Sequence, residues 1–339
     1  MTAVINIAVI GCGDIAFQAH FPSFLRQERI RVQVLCDPDR EKLRRAADLF
    51  PESTVYTDSD DALLHPDIQA SFILTPPAAT PHLVMEALKR NTPVFCEKPM
   101  ALQENLALQI IELEKKAAVP VQVGMKNSFH PLMTELRERI CAGWFGSPVV
   151  YRIGVFDEVF DPDNTEHTGR IVRALQEGSP LAHEGAHVAE WLREFTDNAA
   201  AASVRADGVR SEPHWPSPNY VTASVSFDNG DLAQIDAGWL YPAFFRSSID
   251  VFGPKGVARL TRAENTLAFR RLNEEEVITE DRDWNVLCFD RQLNHFIKCL
   301  DERLTPSPGT REALYGIRLI AAIEHELREG QAYGQPAHP

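Results

Sequence analysis

The stretch Ile5–Asp37 constrains the fold more than any other part of the chain. Ile5, Ile7, Ala8, Val9 and Ile10 supply a short, nearly continuous apolar run, as a strand buried on both faces requires. Gly11, Gly13 and Ala16 follow at the spacing G-x-G-x-x-A. The first glycine permits a tight turn, the second lets a pyrophosphate approach the backbone, and the small third residue lets the next helix pack close to the strand. The helix start then offers unpaired N–H groups and a positive dipole end to phosphates. A second apolar strand, Val32–Cys36, ends in Asp37, whose carboxylate can accept hydrogen bonds from a ribose 2′-OH. The alternative, a strand–turn–helix that uses glycine for geometry alone, accounts for less of this pattern. Asp37 would also repel a 2′-phosphate, which favours NAD; Arg40 nearby leaves NADP open.

With 339 residues the chain exceeds what one core usually supports, so two domains are expected. Its 44% apolar and 24% charged residues match an ordinary soluble protein. No basic region precedes the first apolar run, so no signal peptide is expected, and no apolar stretch is long enough to cross a bilayer. The net charge of −14 argues against nucleic acid and anionic membranes as partners, since both need a basic surface. Cys12, Cys36, Cys96, Cys141, Cys288 and Cys299 form no C-x-x-C; scattered in mostly apolar surroundings, they point to reduced core thiols and a cytoplasmic location.

After Asp37, helices over 40–50, 58–64, 81–90 and 102–118 alternate with strands over 55–56, 70–74, 92–95 and 121–125, with Thr80 as a helix cap. That rhythm implies a parallel sheet with helices on both faces, covering residues 1–125 as a dinucleotide-binding domain. From 126 to 339 the pattern is α+β. Strand character at 148–155 is followed by an acidic loop, 156–168, and a helical region, 169–195, broken at Gly178-Ser179-Pro180. Strands over 201–209, 220–227, 232–240, 247–252 and 257–261 are joined by short turns and imply an antiparallel sheet. Two helices, 289–300 and 311–328, close the chain, with one of them free to pack back on the first domain.

Three features sit where chemistry is expected. Glu97-Lys98-Pro99 follows a sheet strand, at the edge where ligands bind in doubly wound sheets; a lysine there can donate to a substrate oxygen and stabilise alkoxide charge, although a surface Lys–Glu pair has the same sequence. His183-Glu184-Gly185-Ala186-His187 reads as H-E-x-x-H, the zinc metalloprotease signature. Against zinc, Gly185 weakens the helix that must hold the ligands, no further histidine follows within 25 residues, so that a third ligand would have to be a glutamate such as Glu190 or Glu194 or lie farther off, and the dinucleotide pattern would go unexplained, so no metal is expected. Lys126, Asn127, Asp157, Trp239 and Tyr241 are polar or aromatic residues on connections near the same edge.

Together these residues resemble the Gfo/Idh/MocA oxidoreductases, the group of glucose–fructose oxidoreductase and inositol dehydrogenase. The resemblance spans nearly the whole chain. It rests on Gly11-Cys12-Gly13-Asp14-Ile15-Ala16, Thr75-Pro76-Pro77 with His82 in the next helix, Glu97-Lys98-Pro99, Gly146, and Gly253-Pro254-Lys255-Gly256. A second-domain signature close to G-x-x-L-x-D-x-G-x-H-x-x-D matches residues 178–190 and makes sense of Leu181, Gly185 and His187. The resemblance implies an N-terminal Rossmann doubly wound parallel sheet and a C-terminal α+β domain with a large, mostly antiparallel open sheet. It implies a catalytic pair, Lys98 and His187, with His187 as general acid/base. Cofactor contacts would come from Gly11, Gly13, Asp14, Ile15, Asp37, Thr75, Pro76, His82, Glu97 and Lys98. Substrate contacts would come from Lys98, Lys126, Asn127, Asp157, His183 and Tyr241.

His183 departs from the family pattern, which has aspartate there, and a neutral imidazole brings no fixed negative charge. The implied activity is NAD(P)-dependent oxidation of a secondary alcohol on a sugar, cyclitol or similar polyol by a homodimer or homotetramer. The rival expectations are glycosidase-type chemistry on a tightly bound NAD and a non-catalytic ligand sensor.

Overall fold

A strand with no polar alternation must be covered on both faces, and β1 (Ile5–Ile10) is an interior strand of a six-stranded parallel sheet. The computed structural model describes residues 3–243 and 247–333; the outer limits of the expected domains, 1–2 and 334–339, lie outside them. Two units can be distinguished, one comprising residues up to Phe129 with Asn285–Ile317, the other His130–Trp284 with residues from Arg318 on.

In the first unit β1 leads through α1 (Phe21–Arg26) to β2 (Ile30–Cys36), α2 (Arg40–Leu49), β3 (Thr54–Tyr56) and α3 (Ser59–Leu63). Then follow β4 (Ala70–Ile73), α4 (Thr80–Lys89), β5 (Val94–Cys96), α5 (Glu104–Ala117) and β6 (Val121–Val123). The strand order β3-β2-β1-β4-β5-β6 reverses direction between β1 and β4, which is where doubly wound sheets bind ligands. Local chemistry sets the helix starts: the Asp39 carboxylate accepts from the N–H groups of Glu41 and Lys42, and Asp58 does the same for Asp60 and Asp61. Thr80 does not cap α4 as expected. It is the first helical residue, and its hydroxyl donates to the carbonyls of Thr75 and Pro76 at 3.0 and 3.2 Å, fixing the preceding turn. The core is aromatic: Phe72 lies among Phe24, Phe95 and Phe296. Phe296 comes from α9 (Trp284–Glu302), whose Leu293 and Ile297 join the same cluster.

The second unit contains α6 (Pro131–Cys141), β7 (Val150–Phe156), α7 (Thr165–Ala174), α8 (Pro180–Phe195), β8 (Ala201–Val209), β9 (Tyr220–Phe227) and β10 (Leu232–Gly238). It continues through β11 (Ser248–Gly253), β12 (Gly256–Thr261), β13 (Thr266–Arg271) and β14 (Glu274–Thr279); α10 (Thr310–Tyr333) ends in it. The strands form one eight-stranded sheet, β14-β13-β12-β11-β7-β10-β9-β8. One face, with Tyr151, Ile153, Val225, Ile235, Val251 and Phe269, is buried. Tyr151 reaches α8 on that face, its hydroxyl donating to the Phe195 carbonyl at 3.1 Å.

Three features differ from the sequence expectation. The β7–β10 pair is parallel, because two helices and a hairpin intervene. The acidic segment 156–168 already contains the start of α7, capped by Asn164, whose side chain accepts from the His167 N–H at 3.0 Å. β13 and β14 are absent from the sequence expectation: the alternation of β13 is confined to Leu267 and Phe269 before Arg270 and Arg271, and β14 opens on Glu274, Glu275 and Glu276; β14 is an edge strand exposed along most of its length, and its glutamates protect that edge from further pairing. No described helix is long and apolar enough to cross a membrane.

Candidate active site

In the first unit the candidate residues gather at the carboxyl ends of the parallel strands. Gly11 leaves β1 with φ +100°, and a Cβ there would stand 2.6 Å from the Leu74 carbonyl oxygen, so only glycine fits the close passage over β4. A Cβ on Gly13 would meet nothing within 4 Å, which leaves the open approach a pyrophosphate needs. The helix begins at Asp14, which is exposed, with Ile15 half-buried behind it. Asp37 is buried; its Oδ2 accepts from the Cys12 N–H and its Oδ1 from the Asp39 N–H, both at 2.8 Å. The acid therefore holds the glycine turn to the end of β2.

Burial, helped by the Asp37 charge, pushes the Cys12 and Cys36 thiols up to about 12. Cys141, by contrast, is exposed. Iodoacetamide at mildly alkaline pH is therefore expected to label Cys141 first and to spare Cys12 and Cys36 in the folded protein. Peptide mass mapping checks this, and early labelling of Cys12 would contradict it.

Thr75 and Pro76 form the turn after β4 and His82 is exposed on α4. Glu97 leaves β5; its Oε1 receives the Nε2–H of buried His20 at 2.7 Å and its Oε2 the Lys98 N–H at 3.1 Å. Lys98 is half-buried. Lys126 and Asn127 lie in a 3₁₀ turn after β6; the Lys126 ammonium donates to Asn285 Oδ1 at 3.0 Å and stands 4.9 Å from the Phe289 ring centre. Asn127 is buried.

In the second unit α8 presents both histidines. Ser179 caps it, accepting from the Leu181 N–H at 3.2 Å and donating to Glu324, with Pro180 in the first turn. α8 runs unbroken through Gly185, and a Cβ at that position would lie 2.3 Å from Cδ1 of Ile320. Glycine serves the close approach of α10, not a break. His183 donates from Nε2 to the Ala174 carbonyl at 3.0 Å, which places the hydrogen on that nitrogen. Its ring also lies 5.1 Å from that of Trp239, whose indole N–H donates to Asp157 at 2.6 Å.

Tyr241 stands edge-on to Tyr220 at 6.1 Å, and its carbonyl accepts from the Phe160 N–H. Asp157, His183 and Trp239 thus form one cluster that ties α7, α8 and the end of β10 together. His187, one turn along α8, is buried with its ring parallel to Trp191 at 6.2 Å. Among the described residues no three His, Cys, Asp or Glu side chains are grouped to hold a metal ion. His20, Gly124 and Trp191 belong to these surroundings without having been singled out in the sequence; only their folded neighbours reveal them.

An oxidoreductase family with an NAD-binding Rossmann fold matches residues 5–125, and the GFO/IDH/MocA C-terminal domain matches residues 133–259. The oxidoreductase YrbE of Bacillus subtilis (strain 168) is 24% identical over 346 residues, covering 99% of this chain and 97% of the relative. Inositol 2-dehydrogenase of Corynebacterium glutamicum (strain R) is 22% identical over 306 residues, covering 89% and 87%. Among solved structures, the WlbA dehydrogenase from Bordetella pertussis in complex with NADH and UDP-GlcNAcA shares the fold, with a TM-score of 0.83 at 21% identity over 97% of each chain.

Proposed function

Because the chain belongs to the Gfo/Idh/MocA family of oxidoreductases and carries its NAD-binding domain, we propose that it oxidises a secondary alcohol of a sugar, cyclitol or similar polyol with NAD. The observation that carries this is the lysine that follows β5: Lys98 stands at the ligand-binding edge of a sheet whose glycine turn and Asp37 suit a dinucleotide. Gly11, Gly13 and the helix start at Asp14 and Ile15 would hold the pyrophosphate, and Asp37 the adenosine ribose. Thr75, Pro76, His82 and Glu97 would complete the dinucleotide site. When bound, the nicotinamide supplies the hydride acceptor.

The Lys98 ammonium donates to the substrate oxygen and stabilises the charge that grows on it as its proton leaves. His187 is the base that takes that proton and the acid that returns it in the reverse direction. Lys126, Asn127, Asp157, His183 and Tyr241 are the proposed substrate contacts. The His183 and Asp157 atoms already engaged with Ala174 and Trp239 make these two residues supports for the surrounding elements as well. Saturable NADH formation with one member of a polyol and sugar panel is the expected result. Tight NAD binding without NADH from any member would overturn net oxidation and favour the internal redox of a glycosidase.

Asp37 decides between the two nucleotides. Removing an acceptor charged like this one weakens a hydrogen bond by about 1.5–3 kcal/mol, roughly 10–100-fold in affinity. Asp37→Ala is expected to lose that much NAD affinity and to narrow the preference over NADP, read by fluorescence titration with both nucleotides. Unchanged NAD affinity would remove Asp37 from the site.

A further inference from the structure

At the carboxyl edge of the first sheet one buried side chain, His20, has no part in the chemistry above, although it grips Glu97. His20 is 2% exposed, and its ring lies among Phe24, Phe95 and Phe289 at centroid separations of 5.8, 5.3 and 5.0 Å. In such surroundings a polar atom is held only at the cost of its hydration unless it is paired. Its partner is Glu97: a carboxylate only accepts, so Nε2 of His20 carries the hydrogen of the 2.7 Å contact.

The other Glu97 oxygen takes the backbone N–H of Lys98 at 3.1 Å. From a third side Gly124 closes on the same carboxylate; a Cβ there would stand 3.0 Å from Oε2 and 3.1 Å from Oε1. The backbone beneath is fixed too, with the Glu97 N–H on the Ile73 carbonyl at 3.0 Å and the Gly124 N–H on the Cys96 carbonyl at 2.8 Å. His20 closes the π-helical turn Ala16–His20, which follows the glycine turn after Asp14 and Ile15. Such a turn takes one residue more than an α-turn and is frequent at functional sites.

We propose that His20 is a positioning residue for Lys98: by holding the Glu97 carboxylate it fixes the backbone from which the lysine reaches the substrate oxygen, and it couples that point to the dinucleotide turn. The proposal rests on the role given to Lys98 above. Its position in the chain makes the coupling direct, because the helix that begins at the phosphate turn ends its first widened turn on the residue that grips Glu97.

The test compares His20→Leu, His20→Gln and Lys98→Met by three readouts: NAD titration, hydrogen exchange at the Lys98 amide, and kcat and KM on the polyol found by the panel. Displacement of a reacting group by about 1 Å costs on the order of 100-fold. His20→Leu is expected to keep NAD affinity, to speed exchange of the Lys98 amide, and to lower kcat by roughly 10–100-fold at little-changed KM. His20→Gln keeps an N–H donor and is expected to restore most of both. Parent-like amide exchange and kcat in His20→Leu, beside an inactive Lys98→Met, would overturn the clamp alone. Loss of NAD binding in His20→Leu with unchanged Lys98 exchange would reduce His20 to a support of the nucleotide turn. Full turnover in Lys98→Met would overturn the clamp together with the catalytic assignment on which it stands.

Discussion

The His187→Ala variant is expected to bind NAD as the parent does and to turn over ~10²–10⁴-fold more slowly. The loss follows from removing the group assigned to move the hydroxyl proton; water takes over that task poorly because it is neither placed nor matched in pKa. The substitution should leave the fold intact. His187 lies mid-way along a helix capped by Ser179, alanine favours helix, and the rest of the turn keeps its contacts. NAD affinity is the control, since the glycine turn and Asp37 belong to the other unit. Stopped-flow or steady-state NADH formation measures the effect, and unchanged turnover would remove His187 from the chemistry.

Phe72→Ala should produce the largest loss of stability. The ring is 1% exposed, stacks on Phe95 at 4.9 Å and meets Phe24 and Phe296 edge-on at 4.9 and 5.5 Å. Deleting a buried phenylalanine costs about 3–5 kcal/mol, part transfer and part cavity, and aromatic neighbours locked edge-to-face cannot collapse into the space. Whole proteins hold about 5–15 kcal/mol, so the first unit would lose a large share of its margin. The urea midpoint of the transition that NAD protects reads this directly. A cost below about 1 kcal/mol would mean that the site repacks.

The first sheet could be derived from sequence because its constraints are local. A glycine that must take φ +100° beside a carbonyl, an acid closing the second strand and apolar runs of strand length each announce themselves within a few residues. The second sheet was legible as a class and less so in detail. β13 shows only a two-residue alternation, Leu267 and Phe269, β14 lacks an apolar alternation because its place at the sheet edge does not require one, and β7 pairs parallel with a strand separated from it by helices. The His20–Glu97 contact joins residues 77 apart, and nothing in their surroundings along the chain predicts it. His183-Glu184-Gly185-Ala186-His187 teaches the opposite lesson: a familiar spacing on one helix, yet the two imidazoles answer to different neighbours, Ala174 and Trp239 for one and Trp191 for the other.

Hydride transfer from a carbinol carbon to NAD beside Lys98 is measured with a polyol from the panel deuterated at the oxidised carbon, the reduced nucleotide being analysed by mass spectrometry. One deuterium is expected in the NADH formed by the parent protein, and almost no deuterated NADH from Lys98→Met. Deuterium released to water, or NADH formed equally well by Lys98→Met, would contradict it.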